Sequence, residues 1–173
     1  MTQVSATRTT KSRVTPVDRG GRLALKASVV VQRGRARGAP AAADIRRWAL
    51  AALRERAREP LEVTVRVVDE AESAELNGRY RHREGPTNVL SFPFEDPPGV
   101  ASGILGDVVI CAPVVEREAR EGSIPPAARW AHMVVHGVLH LCGYDHLRED
   151  EASAMETLEA QVLMNLGFGD PYD

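Results

Sequence analysis

The residues with the clearest chemical signal are three histidines in the segment 136–146, which reads HGVLHLCGYDH. His136 and His140 are four positions apart, so on a helix they lie on one face and can point ring nitrogens at one metal ion. Gly143 permits the positive φ that ends a helix, which lets the chain turn back and present His146 as a third ligand. Three neutral imidazoles leave one coordination position open for water, as in a catalytic rather than a structural zinc site.

The alternative for any one of these histidines is a structural role, because a single histidine on an apolar helix is usually a core residue with a satisfied ring. Three in ligand register, with a glycine break between the second and third, favour metal binding instead. The spacing HxxxHxxGxxH is also that of the metzincin proteases, whose general base is a glutamate directly after the first histidine. That position is Gly137 here. Peptide hydrolysis is therefore the weaker prediction.

Two upstream segments extend this pattern. One is ELNGRYR at 75–81, which runs on to PTNVLSFP at 86–93, and the other is LGDVVI at 105–110. Together with the histidine segment without its glutamate, they make the sequence resemble the YbeY family of single-domain bacterial endoribonucleases implicated in ribosomal RNA maturation. The resemblance covers roughly residues 25–170.

The resemblance implies a site with one zinc ion per chain, made by His136, His140 and His146, and a functional arginine at Arg81. The position after this arginine is often glycine in the family and is His82 here. Such a site would act on a phosphodiester bond of RNA, where the transition state gains negative charge that a guanidinium stabilises. Arg81 is the candidate catalytic residue for that role.

The neighbouring arginines, Arg79 and Arg83, are candidates for holding flanking phosphates of the substrate. The alternative is that one or two of the three arginines are solvated or paired with Glu75 or Glu84. Both interpretations stay open from the sequence.

Two further residues are candidates for supporting the metal ligands from outside. His132 lies one turn before His136 and could contact a ligand, line the cleft, or be a core histidine bonded to backbone. Asp145 could accept a ring N–H from a ligand and fix its tautomer, as metal-bound histidines commonly require. Asp107 could do the same or cap a strand end.

Length and composition favour one domain. The chain has 173 residues, 43% of them hydrophobic, which suffices for one core. We expect a disordered basic tail over residues 1–23 and a single domain over 24–173. No secretory signal or membrane-spanning run is visible. Cys111 and Cys142 suggest no disulfide framework, and the prediction is a cytoplasmic protein.

Charge and aromatic content bear on the partner. Residues 1–47 carry eleven Lys or Arg and two Asp, a balance of +9, so a net charge of −2 leaves −11 for the rest. This asymmetry suits a chain that presents a basic end to phosphates. Aromatic residues are 5% of the chain with no evident cluster. We therefore expect the partner to be RNA, either ribosomal RNA or the small ribosomal subunit. It would be recognised by shape and phosphate contacts rather than by its particular base sequence.

Hydrophobic periodicity and turn residues predict nine elements. In order, they are strand 25–32, helix 41–58, strand 61–67, helix 69–80, strand 89–94, strand 105–111, helix 113–121, helix 127–142 and helix 150–166. Asp69 is expected to cap the helix 69–80, with Glu72 three residues on. Leu76 and Tyr80 are expected to be buried, and Ser123 to cap the histidine helix. The predicted fold is α+β: one domain with a mixed sheet of about four strands, packed helices, and a buried central helix carrying the metal site.

The functional prediction is a zinc-dependent, single-strand-type endoribonuclease acting in ribosomal RNA maturation and ribosome quality control. Two alternatives remain. One is a metallohydrolase of another, non-peptide substrate. The other is a non-catalytic ribosome-biogenesis factor whose metal only stabilises the fold.

Overall fold

The computed structural model describes residues 27–34, 36–54, 61–144 and 149–172. Its elements alternate between strands and helices in the first part of the chain and are helical in the second. They are β1 (Ala27–Arg33), α1 (Ala42–Leu53), β2 (Leu61–Val68), α2 (Glu70–Arg81), β3 (Val89–Pro93), β4 (Ile104–Cys111), α3 (Ala112–Glu121), α4 (Pro126–Leu141) and α5 (Glu149–Asn165). The predicted tail 1–23, the end of the predicted first helix at 55–58, and the segment 145–148 with Asp145 and His146 lie outside the described residues.

The strands form one four-stranded sheet in the order β1-β2-β4-β3. β1, β2 and β4 are parallel, and β3 pairs antiparallel with β4 at the edge. Parallel neighbours need crossover connections, and α1 occupies the connection from β1 to β2. The predicted α+β domain with a mixed four-stranded sheet is confirmed.

One face of the sheet carries most of the hydrophobic core. Val63, Val65 and Val67 of β2 point to this face and are buried together with residues of α1, α4 and α5. The opposite face has a smaller cluster beside α2 and the start of α3. This unequal covering explains the alternating pattern of β2, in which Arg66 is exposed between buried valines.

The histidine helix, α4, is buried on nearly all sides. From Trp130 to Leu141, its partly exposed positions are His132, His136 and His140, and every other residue is buried. These three are spaced by four, so they form one open stripe on an otherwise enclosed helix. The fold thus presents imidazoles to solvent from its most tightly packed element.

Gly137 lies where α4 packs against the sheet. A Cβ at this position would overlap the side chain of Val108 and come within 3.2 Å of Val89 Cγ2. The residue directly after the first histidine therefore faces the sheet. The absence of a side chain there follows from helix-to-sheet packing.

Ser123 was predicted to cap α4, but it does not. It has φ of 53°, its N–H bonds to the carbonyl of Arg120, and the N–H of Ile124 bonds to the carbonyl of Ala119. This is the hydrogen-bond pattern of a Schellman motif, in which a left-handed residue ends a helix. Ser123 therefore terminates α3, and α4 begins after Pro125 without a side-chain cap.

The prediction of which α2 residues are buried is also partly wrong. Its buried residues are Ser73 and Asn77, whereas Tyr80 is exposed. The hydroxyl of Ser73 donates to the carbonyl of Thr87, and the side-chain amide of Asn77 donates to the carbonyl of Gly85. Polar side chains thus tie α2 to the loop before β3. The predicted N-cap is confirmed, because the side chain of Asp69 accepts a bond from the N–H of Glu72.

Candidate active site

The two histidines of α4 predicted as metal ligands bring their Nε2 atoms together. Nε2 of His140 lies 3.1 Å from Nε2 of His136. The helix ends as predicted, because Gly143 has φ of 89° and its N–H bonds to the carbonyl of His140. Two ligands of a tetrahedral zinc ion with Zn–N bonds of about 2.05 Å lie about 3.3 Å apart. The separation of the two Nε2 atoms therefore fits two corners of such a site.

Glu159 of α5 orients the first of these histidines. Its side chain is 1% exposed, and Oε1 lies 2.6 Å from Nδ1 of His136. Nδ1–H can donate to this carboxylate, which leaves the lone pair of Nε2 available on the side that faces His140. This matches the carboxylate–histidine arrangement that commonly supports a metal ligand.

The sequence analysis missed Glu159, although a signal was present. Glu159 follows Met155 by four positions and precedes Val162 by three, so it lies on the buried stripe of α5. A carboxylate at such a position needs partners, because an unpaired buried charge is costly.

Two further side chains complete the surroundings of this carboxylate. The hydroxyl of Tyr172 donates to Oε2 of Glu159, and Nε2 of His132 lies 3.7 Å from the same oxygen. Burial alone raises the pKa of a carboxyl, but the contacts with His132, His136 and Tyr172 outweigh it and lower the pKa of Glu159 to about 2. Burial and the adjacent carboxylate raise the pKa of Tyr172. At neutral pH, an ionised carboxylate therefore accepts from a protonated phenol.

Two sets of side chains in this region could hold a metal. One is the pair His136 and His140. The other is His132, His136 and Glu159, each of which offers one possible ligand atom, and these three atoms lie within 4.8 Å of one another. The 2.6 Å between Glu159 Oε1 and His136 Nδ1 is short for two ligands of one tetrahedral ion, which would be separated by about 3.3 Å. It is a normal length for a charge-assisted hydrogen bond. The geometry therefore favours Glu159 as the partner of a ligand.

The remaining predicted members of the site have different outcomes. His132 lies beside the carboxylate, consistent with a supporting residue. His146 and Asp145 fall in the segment 145–148, outside the described residues. Asp107 is exposed on β4, and its neighbour Val108 points toward α4. Because successive strand residues face opposite sides, Asp107 points away from the histidine helix.

Arg81 is connected to the histidine helix through the edge strand. It is the last residue of α2 and is exposed, and its Nη2 donates to the carbonyl of Ser91 over 3.4 Å. The hydroxyl of Ser91 donates in turn to the carbonyl of Gly137 over 3.0 Å. Ser91 of β3 thus bridges Arg81 and Gly137, the residue that follows His136.

The arginines on either side of Arg81 are exposed as well. In the parts of the chain that the structure describes, no ion pair joins Arg79, Arg81 or Arg83 to a carboxylate. The turn after the helix is held by His82, which has φ of 56° and ψ of 35°. This is the left-handed conformation that glycine favours, so the histidine keeps the backbone turn that a glycine would allow.

The basic loop after β1 is described only in part. Arg33 and Arg37 are exposed, and Arg35 lies outside the described residues. None of the described helices is both long enough and apolar enough to cross a bilayer. Both cysteines, Cys111 and Cys142, are buried.

Two comparisons with known proteins bear on this arrangement. The sequence profile of a family described as "Endoribonuclease YbeY" matches residues 36–167. The fold is also similar to the solution structure of TM1509 from Thermotoga maritima, with a TM-score of 0.53 and 25% sequence identity over 84% of this chain and 99% of that chain.

Proposed function

Because the chain belongs to the YbeY endoribonuclease family, we propose that it is a zinc-dependent endoribonuclease that cleaves single-stranded regions of ribosomal RNA. This activity would serve ribosomal RNA maturation and ribosome quality control. Its substrate would be ribosomal RNA, free or within the small ribosomal subunit.

The observation that supports this proposal most strongly is the arrangement of His136. One of its ring nitrogens faces His140, and the other contacts a buried carboxylate. Their Nε2 atoms are 3.1 Å apart, and Glu159 accepts from the opposite ring nitrogen of His136. A buried anion that fixes the tautomer of an exposed imidazole is typical of a metal ligand. We propose His146 as the third ligand and Asp145 and His132 as supporting residues. His136, His140 and His146 would together hold one zinc ion per chain.

A zinc ion held by these histidines would supply Lewis acidity, which would lower the pKa of water and polarise a phosphate oxygen. The protein's own residues do the rest. Glu159, which accepts a bond from Tyr172, holds His136 in one orientation, so no reorganisation of this ring is needed during the reaction. The open stripe of α4 gives the RNA backbone access from solvent.

Arg81 is the proposed catalytic arginine. Its guanidinium is exposed, and one of its N–H groups is engaged with the carbonyl of Ser91, which limits where the remaining donors can point. A guanidinium has five N–H donors, so several remain for phosphate oxygens. Donors held in place before the reaction stabilise the charge that develops in the transition state. Arg79 and Arg83 would hold the flanking phosphates.

A purified preparation tests this proposal with structured ribosomal RNA as the substrate. Internal cleavage that disappears with a chelator and returns with added zinc supports it. Intact RNA in the presence of a metal-loaded protein would contradict it and favour a non-catalytic role in ribosome assembly. The cytoplasm is the expected location, because the proposed substrate is ribosomal.

A further inference from the structure

The end of α2 carries an exposed aromatic ring surrounded by cations. Tyr80 is 52% exposed. Its ring meets that of Phe92 edge to face, with centroids 5.1 Å apart and planes at 71°. The guanidinium carbon of Arg79 lies over the ring at 5.4 Å from its centroid. We refer to Arg79, Tyr80, Arg81 and Phe92 as the Tyr80 surface.

Packing does not explain the position of this ring. A tyrosine of the core would be covered by its neighbours, whereas here two contacts fix the ring and half of the side chain stays in solvent. Phe92 is itself partly buried in the small cluster beneath α2, so the support is anchored to the fold. The ring is therefore held in place and still accessible.

The charges around the ring fit a nucleic acid. Arg79 and Arg81 flank Tyr80 directly in sequence, Arg83 follows, and these arginines form no ion pair with a carboxylate among the described residues. Basic side chains interleaved with an accessible aromatic ring are the elements of a single-strand binding surface, where phosphates meet cations and a base stacks on the ring.

The location of the surface links it to the site. Arg81 is bonded to the carbonyl of Ser91, whose hydroxyl is bonded to the carbonyl of Gly137 beside His136. The side chains of Arg81 and Tyr80 contact successive residues of β3, because Arg81 donates to the carbonyl of Ser91 and the ring of Tyr80 meets that of Phe92. A phosphate held by Arg81 therefore leaves the base of a neighbouring nucleotide within reach of Tyr80.

We propose that Tyr80 is a stacking platform for one unpaired base of the RNA next to the phosphate bound by Arg81. The inference rests on the proposed ribonuclease function and gives a physical basis for a preference for unpaired RNA. Stacking on a tyrosine tolerates any base, because every base has a π-face. Such stacking is compatible with the expectation from the sequence that no particular base sequence is read.

The first test measures binding of a single-stranded oligoadenylate about ten nucleotides long. Tyr80→Leu keeps an apolar side chain and removes the ring, and it should weaken affinity by about 5- to 150-fold, the range for loss of one stacked base. Tyr80→Phe should bind like the unmodified protein. Phe94→Leu is the matched control, since Phe94 is 48% exposed, and it should bind normally. Equal loss in Phe94→Leu, or none in Tyr80→Leu, would overturn the proposal.

The second test reports stacking directly. Both native tryptophans are buried, Trp48 at 2% and Trp130 at 1% exposure, so Tyr80→Trp introduces an exposed fluorophore. Mixing with the oligoadenylate by stopped flow should quench its emission before any cleavage, whereas a duplex of the same length should quench it far less. Unchanged emission with bound oligonucleotide would reject a base on this ring.

The two proposals can fail separately. Cleavage of ribosomal RNA by the unmodified protein without quenching in Tyr80→Trp would reject only the platform. Quenching without any cleavage would retain the platform and reject the ribonuclease. Normal RNA affinity in Tyr80→Leu would instead assign the exposed ring to an apolar protein partner and overturn the platform.

Discussion

The carboxylate of Glu159 lies 2.6 Å from Nδ1 of His136, on the ring side opposite the Nε2 atom that faces His140. Two helices separated in sequence by residues 142–148 meet at this bond. It assigns Nδ1 as the donor and leaves Nε2 as the ring atom that could bind a metal ion.

Loss of this bond should weaken metal binding while leaving a metal site in place. Glu159→Gln should lower zinc affinity by about 10- to 100-fold, the usual cost of losing such a partner. Tyr172→Phe should lower it less, because the carboxylate keeps its bond to His136. Competition with a chromophoric chelator measures both affinities. Glu156→Gln, an exposed position of the same helix, is the matched control, and an equal loss there would remove the special role of Glu159.

The position of Gly137 predicts a packing defect on substitution. Gly137→Ala should be less stable than Gly78→Ala by about 1 to 3 kcal/mol, the cost of overpacking. Both changes add one methyl group to a helical glycine, but a Cβ at Gly78 has only the carbonyl oxygen of Arg83 within 4 Å, at 3.8 Å. Chemical denaturation gives both free energies of unfolding. Equal stabilities would show that the sheet accommodates the methyl group.

The same geometry bears on the comparison with metzincin proteases. Gly137→Glu would direct the carboxylate toward Val108 of the sheet, so it should destabilise the fold without creating a peptidase. Peptidase activity in the unmodified protein, abolished by a chelator, would instead overturn the ribonuclease assignment.

Arg81 should affect turnover more than binding. If its guanidinium acts on charge that develops in the transition state, Arg81→Ala should lower the single-turnover rate on the order of 10² to 10³. Arg81→Lys should rescue this partly, because an ammonium cannot form two parallel bonds to phosphate. Zinc content should be unchanged. Cleavage by Arg81→Ala at the normal rate under saturating RNA would make it a binding residue.

Three arginines that follow one another closely near the end of β1 provide a comparison for Arg81. Neutralising Arg33, Arg35 and Arg37 together should weaken RNA binding and flatten its dependence on salt, because fewer counterions are released. Turnover at saturating RNA should be kept. A loss of turnover as large as that of Arg81→Ala would show that the two groups do not have distinct functions.

The elements that sequence predicted well are those with strong local signals. The alternation of β2, the N-cap of Asp69, and the helical register of the histidines depend on short-range rules. The left-handed conformation of Gly143 followed from the same reasoning. These signals sufficed for the fold class and for the pairing of His136 with His140.

The features that sequence missed depend on contacts between distant segments. Glu159 and Tyr172 reach the site only once α5 and the C-terminal residues pack against α4. Tyr80 and Phe92 belong to different elements, so their aromatic contact was not visible as a cluster. Ser123 was misassigned because serine commonly caps helices, whereas here a left-handed turn ending α3 uses this position.

The central claim, that RNA is cleaved at a metal held by the His136–His140 pair, is tested most directly by two variants on one helix face. His132 and His140 each lie one turn from His136, and both are partly exposed. Zinc content and cleavage of ribosomal RNA are measured in the same preparations of His132→Ala and His140→Ala, with His146→Ala alongside. We predict that His140→Ala and His146→Ala lose both zinc and cleavage, whereas His132→Ala retains zinc. Full zinc content and normal cleavage in His140→Ala, with loss of both in His132→Ala, would contradict this account and assign the metal to His132, His136 and Glu159.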